Sequence, residues 1–365
     1  MPRKTGQSVV LVIIGALGVV ANTEIAHGQG LVKVTPLGSH PGELCFRDRA
    51  MLFEDPTGLR ILYDPGFMVD ETDPRLGEVH IILLSHAHAD HIGMRRDRGG
   101  PCAQPQMGGP AAGPTNPNSN VATIAAAKNA AVITASESAA FLAVKIQNVR
   151  GVATPNCPTA GLEDETIAPL AAPCGGQIGV GGTRTVKRAG ASAGVRITAV
   201  QAIHPNNIPA GLVDAPGLPP GVSAYGGIAQ GFVLRFTNGL TAYLTGDTGI
   251  FADMESVIGR MYRPNLVVVN IGPGGNGPTS MGADEAAHII RTMIRPATVM
   301  PSHVGEEATS GGRLRSNTWT ERFASAAGPY ADVVLPLSDI TLSFDGEGTL
   351  FPYTTLFRSD RKSVV

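Results

Sequence analysis

The stretch Ser85-His86-Ala87-His88-Ala89-Asp90-His91 sets three histidines and a carboxylate within six residues, directly after the apolar run VHIILL at 79–84. That run has β-branched residues and no breaker, so it reads as a buried strand. In extended chain alternate side chains share a face, which lets His86 and His88 grip one ion. A turn after them swings Asp90 and His91 toward a second. A lone histidine is usually a surface or core residue, but four such groups in six residues are not. Imidazole nitrogen with carboxylate oxygen suits Zn²⁺, with Mn²⁺, Fe and Ni as competitors.

Working outward, the same design recurs. A strand over 195–202 ends at His204, and one over 240–244 ends at Gly246-Asp247. A brief strand at 298–300 runs into Pro301-Ser302-His303, and Arg60-Ile61-Leu62-Tyr63 runs into Asp64-Pro65-Gly66. A rigid sheet that delivers ligands from strand ends is how a well-defined site is built. Between these lie a strand at 131–134, a helix at 137–149, an apolar strand at 266–271 and a helix from a Ser280 cap to Ile294, stopped by Pro296. Long Gly/Pro-rich loops are expected over 97–120 and 151–182. Strands and helices alternate without a solenoid repeat, so the class is α/β.

Composition agrees. The chain has 365 residues, 43% hydrophobic and 16% charged, which excludes a disordered chain and a coiled coil. One Trp and 5% aromatics argue against stacking surfaces for single-stranded nucleic acid. Both ends are set aside. Residues 1–28 place Arg3 and Lys4 before an apolar run at 9–21 and a polar stretch, the order of a secretory signal peptide. The run is too short to span a membrane. Residues 351–365 (FPYTTLFRSDRKSVV) back-translate to a short-read sequencing adapter followed by its reverse complement, and are treated as an artefact. Without Arg3, Lys4, Glu24, Arg358, Asp360, Arg361 and Lys362, the 28 bases and 30 acids become 23 and 28, a net charge of −5. An acidic domain is a poor nucleic-acid binder. The expected partner is a small-molecule substrate, with no nucleic acid, no stable membrane anchor and the oligomeric state left open. The expected location is periplasmic or extracellular. There, one disulfide is expected among Cys102, Cys157 and Cys174, with Cys45 a buried thiol.

HAHADH, the isolated His204, Gly246-Asp247 and His303 resemble the metallo-β-lactamase superfamily. The stretches GDTGIFADMESVIGRMYRPNLVVVNIG and MGADEAAHIIRTMIRPATVMPSHVG resemble its branch of predicted metal-dependent hydrolases, which includes ascorbate-6-phosphate lactonase-like enzymes. The resemblance covers about 33–346. It implies a four-layer αββα sandwich over 29–350, with inserted loops near 95–125, 151–180 and 205–224 and a dinuclear site at one edge of the two sheets. It also implies that His86, His88 and His204 hold the first metal and that Asp90, His91 and His303 hold the second. Asp247 would bridge both, and Asp64 would support the metal loop from behind. The implied chemistry is hydrolysis by a hydroxide shared between two divalent ions, oriented by Asp90 as the catalytic residue. The β-lactamases of the superfamily use a Cys at the bridging position or lack a bridging carboxylate. Asp247 therefore favours an exported hydrolase of a small ester-like bond, a lactone first. The alternatives are a phosphodiesterase or phosphonate hydrolase, then β-lactamase-like activity, then a non-catalytic metal-binding module. His40 reads as an exposed turn residue, His80 as a satisfied core histidine and His288 as structural. Tyr225 and Asn276 fall in loops that could overhang the metals, but they read as turn-formers and are left out of the site.

Overall fold

The computed structural model describes residues 30–46, 48–94, 102, 116–161, 164–213, 222–272 and 279–351. The leader at 1–28, the tail at 352–365 and Asn276 lie outside them.

Two eight-stranded mixed sheets pack face to face. The first runs Leu350–Phe351, Leu342–Phe344, Val32–Pro36, Met51–Glu54, Arg60–Tyr63, Ile81–Leu83, Ala131–Thr134, Cys174–Gln177. The second runs Asp332–Val333, Thr298–Ser302, Leu266–Asn270, Thr241–Leu244, Gln230–Arg235, Val195–Gln201, Thr183–Arg188, Thr166–Ala168.

Alternation along the strands builds the layers, because successive side chains point to opposite faces. Phe53, Ile61 and Ile81 point inward and meet Phe232, Leu234 and Leu244 in one core between the sheets. Their neighbours Leu52, Leu62 and Ile82 point outward, against Ile124, Leu142 and Ile146 of helices Asn120–Lys128 and Ser136–Arg150. On the far side Tyr243, Val267 and Val299 pack on Met254, Ile258, Ile290 and Phe323 from helical segments Met254–Tyr262, Ile289–Ile294 and Trp319–Ala327. Each such fully buried side chain contributes about 1.5–3 kcal/mol of burial. The result is the expected αββα order.

Strand direction places the site. Arg60–Tyr63, Ile81–Leu83 and Ala131–Thr134 are parallel neighbours, as are Thr241–Leu244, Leu266–Asn270 and Thr298–Ser302. Val195–Gln201 is antiparallel to Gln230–Arg235, itself antiparallel to Thr241–Leu244, so it shares their direction. Asp64, the HAHADH segment, His204, Asp247 and His303 thus follow the C-terminal ends of their strands, where α/β sheets bind ligands.

Several local expectations are corrected. The span 151–182 is not plain loop, since it supplies Thr166–Ala168 to the second sheet and Cys174–Gln177 to the first. The loop near 205–224 holds Asn207–Ile208, which pairs with Ala224–Tyr225. Helix Ala283–His288 starts at Gly282 instead of Ser280, because Met281 is held extended: its N–H donates to Thr248 O and its carbonyl accepts from Gly272 N. The Glu285 side chain reaches back to the Gly282 N–H as the cap. Finally, all four cysteines are paired, as Cys45–Cys102 and Cys157–Cys174, so Cys45 is not a free thiol. Cys45 sits in a turn whose next residue, Phe46, approaches the Cys102 carbonyl, while Cys157 lies against Gly175 beside Cys174. Spacing alone cannot reveal such pairings.

Candidate metal centre

Three imidazole nitrogens converge at the first cluster. His86 Nε2 lies 3.0 Å from His88 Nδ1, which lies 3.2 Å from His204 Nε2. The opposite nitrogens are engaged elsewhere: His204 Nδ1 donates to the Thr279 carbonyl at 2.9 Å, and His86 Nδ1 lies 3.0 Å from Ser85 Oγ. A neutral imidazole carries one N–H, so His86 and His204 turn bare lone pairs toward His88. A proton on His88 Nδ1 can satisfy these two lone pairs, and a cation set among the three nitrogens can replace that proton. Their spacing also matches the ~3.3 Å between two nitrogens of a tetrahedral Zn²⁺ site with bonds of ~2.05 Å.

The second cluster is Asp90, His91 and His303. His303 Nε2 is 3.3 Å from Asp90 Oδ2 and 3.4 Å from Asp247 Oδ2. His91 Nε2 is buried without a hydrogen-bond partner and faces Asp247 Oδ2 at 3.4 Å. Asp247 Oδ2 is also 3.7 Å from His204 Nε2, so one carboxylate oxygen looks into both clusters. Its Oδ1 accepts from Asn270 Nδ2 at 2.6 Å. All seven expected ligands are thus brought together, and their donor set fits two divalent ions.

The surroundings fix this geometry. Asp64 is fully buried; its carboxylate accepts from Ser85 N at 2.8 Å, Ser85 Oγ at 2.7 Å and His91 Nδ1 at 2.8 Å. That last bond holds the His91 proton on Nδ1 and aims Nε2 at the site. Asn206 Oδ1 accepts from Ala87 N while its amide donates to Gly226 O, tying the histidine loop to the second sheet. Gly246 N donates to Tyr63 Oη, which links the sheets directly beneath Asp247. Asp64 and His303 both adopt positive φ, 39° and 53°, a conformation that costs strain and clusters at functional sites. Asp64→Asn is expected to weaken the second ion about 10–100-fold, read by zinc titration against a competing chelator.

Electrostatics favour cations. Burial and the His91 charge push His86 well below its ordinary value, and burial with His91 and His204 takes His88 down to about 4. Burial and Arg49 lower His303. Burial would raise Asp90, but Arg49 and the hydrogen bond from His303 hold it well below the usual carboxylate range. Asp247 is likewise held low, against burial, by His303 and His91. His91 alone goes up, to about 9, because Asp247 and Asp64 outweigh burial and Arg49. The metal-free site therefore offers neutral lone pairs and anionic carboxylates, with one proton on His91 that an incoming ion displaces.

A beta-lactamase superfamily domain matches residues 59–304, a span that contains every ligand above. The chain belongs to the metallo-β-lactamase superfamily. It is 28% identical to a UPF0173 metal-dependent hydrolase of Cupriavidus metallidurans over 311 residues, 82% of this chain and 85% of that one. A similarly described protein of Cupriavidus necator is 34% identical over 143 residues, 39% of this chain and 45% of its own length. The match thus spans under half of that relative. Among solved structures, a metallo hydrolase of the hyperthermophilic archaeon Ignicoccus hospitalis superposes with a TM-score of 0.51 at 19% identity, over 86% of this chain and 99% of that one, a likeness of fold.

None of the weaker candidates joins the two ligand clusters. His40 is half-buried instead of exposed, with Nδ1 3.0 Å from Ser39 Oγ. His80 is a satisfied core residue, its Nδ1 accepting from Arg60 N. His288 is exposed on its helix, and Tyr225 is 65% exposed on the short ribbon. Sequence reasoning missed Ser85, Asn206 and Asn270. A polar residue ending the apolar run LVVVN was the available signal for Asn270.

Proposed function

We propose that this protein is an exported, dinuclear metal-dependent hydrolase of a small ester-like bond, with a lactone as the first substrate class. The observation that carries the reading is the single Asp247 oxygen set between two clusters whose ring nitrogens face inward. His86, His88 and His204 would hold one divalent ion and Asp90, His91 and His303 a second, Zn²⁺ first, with Asp247 facing both; the chemistry such ions would supply is activation of a water and polarisation of the scissile carbonyl. The chain's own residues do the rest. Asp64 and Asn270 orient His91 and Asp247, and Thr279 fixes the His204 tautomer. Asp90, anionic and beside His303, stands where it can orient the attacking water and take its proton. The pairing of all four cysteines supports an oxidising compartment. Among the described residues no helix is long and apolar enough to cross a membrane.

The test is metal content by elemental analysis together with initial rates on lactone, phosphodiester and β-lactam panels, wild type beside Asp90→Ala. The reading expects two equivalents of metal, the highest rate on a lactone and a fall of about 10²–10⁴-fold in the variant. Two bound ions with no turnover on any panel would leave a metal-binding module. Full turnover in Asp90→Ala would remove that residue's role.

A further inference from the structure

Arg49 is a permanent cation buried against the metal centre, beside the ligands but not one of them. Its side chain is 2% exposed, and Nη2 lies 3.0 Å from Asp90 Oδ2, the oxygen that also faces His303 Nε2. We infer that Arg49 holds Asp90 in place for the second ion and, by setting a fixed positive charge beside it, makes the second ion site the weaker of the two. The inference rests on the two-ion reading above.

The position of Arg49 is built. It stands beside residues 37–46 and Asp48, which are tied down from several sides. Leu44 N donates to Thr309 Oγ1, Ala308 N to Leu44 O and His303 N to Asp48 O. The buried Asp48 carboxylate accepts from Ser39 N and Cys45 N, and Cys45 is bridged to Cys102. The guanidinium stem runs beside Gly66, whose added Cβ would lie 3.5 Å from Arg49 Cδ. A guanidinium does not deprotonate in a protein, so this charge is permanent. It bears on Asp90, His91 and His303, whereas the main charges felt by His86 and His88 are other histidines and carboxylates.

Two cations then share one carboxylate. Without its guanidinium, Asp90 gains rotational freedom, which weakens the second site. The variant also loses the repulsion on the ion and, when ion-free, keeps a buried carboxylate without its counter-charge, an expensive state that ion binding relieves. Both of these tighten the site, and at buried distances charge outweighs one rotamer's freedom.

The experiment titrates the full chain with Zn²⁺ against a chromophoric chelator, comparing wild type, Arg49→Met and Arg49→Lys. Wild type is expected to fill in two steps separated by at least tenfold. Arg49→Met should tighten the second step at least tenfold and leave the first unchanged, while Arg49→Lys, which keeps the charge, follows wild type. The metal-free Arg49→Met protein should melt lower than wild type and regain the difference with Zn²⁺. If that variant does not fold, Arg49→Gln, which keeps a donor but no charge, must show the same tightening. Two wild-type steps with an unchanged or weakened second step in the uncharged variants would overturn the inference and leave the two-ion reading standing. Fewer than two ions on wild type would overturn both.

Discussion

Asp247→Ala is expected to reduce bound metal from two equivalents to one or none and to cut turnover about a thousandfold or more. Among the described residues its Oδ2 is the only carboxylate oxygen within 4 Å of ring nitrogens from both clusters: His204 at 3.7 Å on one side, His91 and His303 at 3.4 Å on the other. Removing it leaves the first ion three neutral imidazoles and removes the anion that offsets two divalent charges a few ångströms apart. Losing one ion's stabilisation of the developing charge is worth several kcal/mol, and about 4 kcal/mol is a thousandfold in rate. Elemental analysis and single-substrate kinetics on the same preparations decide it. A variant that kept two ions and its full rate would show that the clusters are not joined through this residue. Asn270→Ala, which frees Asp247 Oδ1 from its 2.6 Å hydrogen bond, should show a smaller loss in the same direction.

The ligands were legible because each ends a strand whose pattern is plain from local sequence. HAHADH follows VHIILL, and His204, Asp247 and His303 follow runs of three to eight apolar-rich residues. Other parts were hidden for physical reasons. Cys174-Gly175-Gly176-Gln177 has poor strand propensity, yet it pairs in register with Ala131–Thr134. Glycine is demanded there by crowding: a Cβ at Gly176 would lie 3.0 Å from both Arg184 Nη1 and Ile133 Cγ1. Helix Asn120–Lys128 emerges from a Pro-rich stretch because Ser119 caps it, donating nothing to periodicity but accepting from Ala122 N. Arg49, in the sequence Asp48-Arg49-Ala50, carries no local pattern that marks it as buried. The bonds of Leu44 to Thr309 and of Asp48 to His303 hold the neighbouring chain where Arg49 turns inward. Long-range contacts of this kind leave no local periodicity to read.

Gly66→Ala is expected to destabilise the protein by roughly 3 kcal/mol or more and to weaken the second ion with it. Gly66 has φ +52°, and an added Cβ would lie 2.2 Å from the Asp90 carbonyl oxygen, a backbone atom with no side-chain freedom to yield. The same residue is bonded on both sides: its N–H donates to His91 O at 2.9 Å, and its carbonyl accepts from Asn120 Nδ2 at 2.9 Å. The strand end at Tyr63–Asp64, the turn carrying Asp90 and His91, and the helix beginning at Asn120 therefore meet on this glycine. Relief of the clash must move the Asp90–His91 backbone, because Arg49 and Asn120 close the other directions. For a domain of this size, 3 kcal/mol corresponds to a drop in Tm of about 4–5 °C. The drop in Tm should appear in the metal-free protein, and zinc should recover less of it than in wild type, since the second-site ligands are displaced. A variant that lost stability yet bound two ions with wild-type affinity would separate the fold's need for this glycine from the site's. Wild-type stability in Gly66→Ala would mean the Asp90 turn is free to move, and that segment could not be what aims the carboxylate.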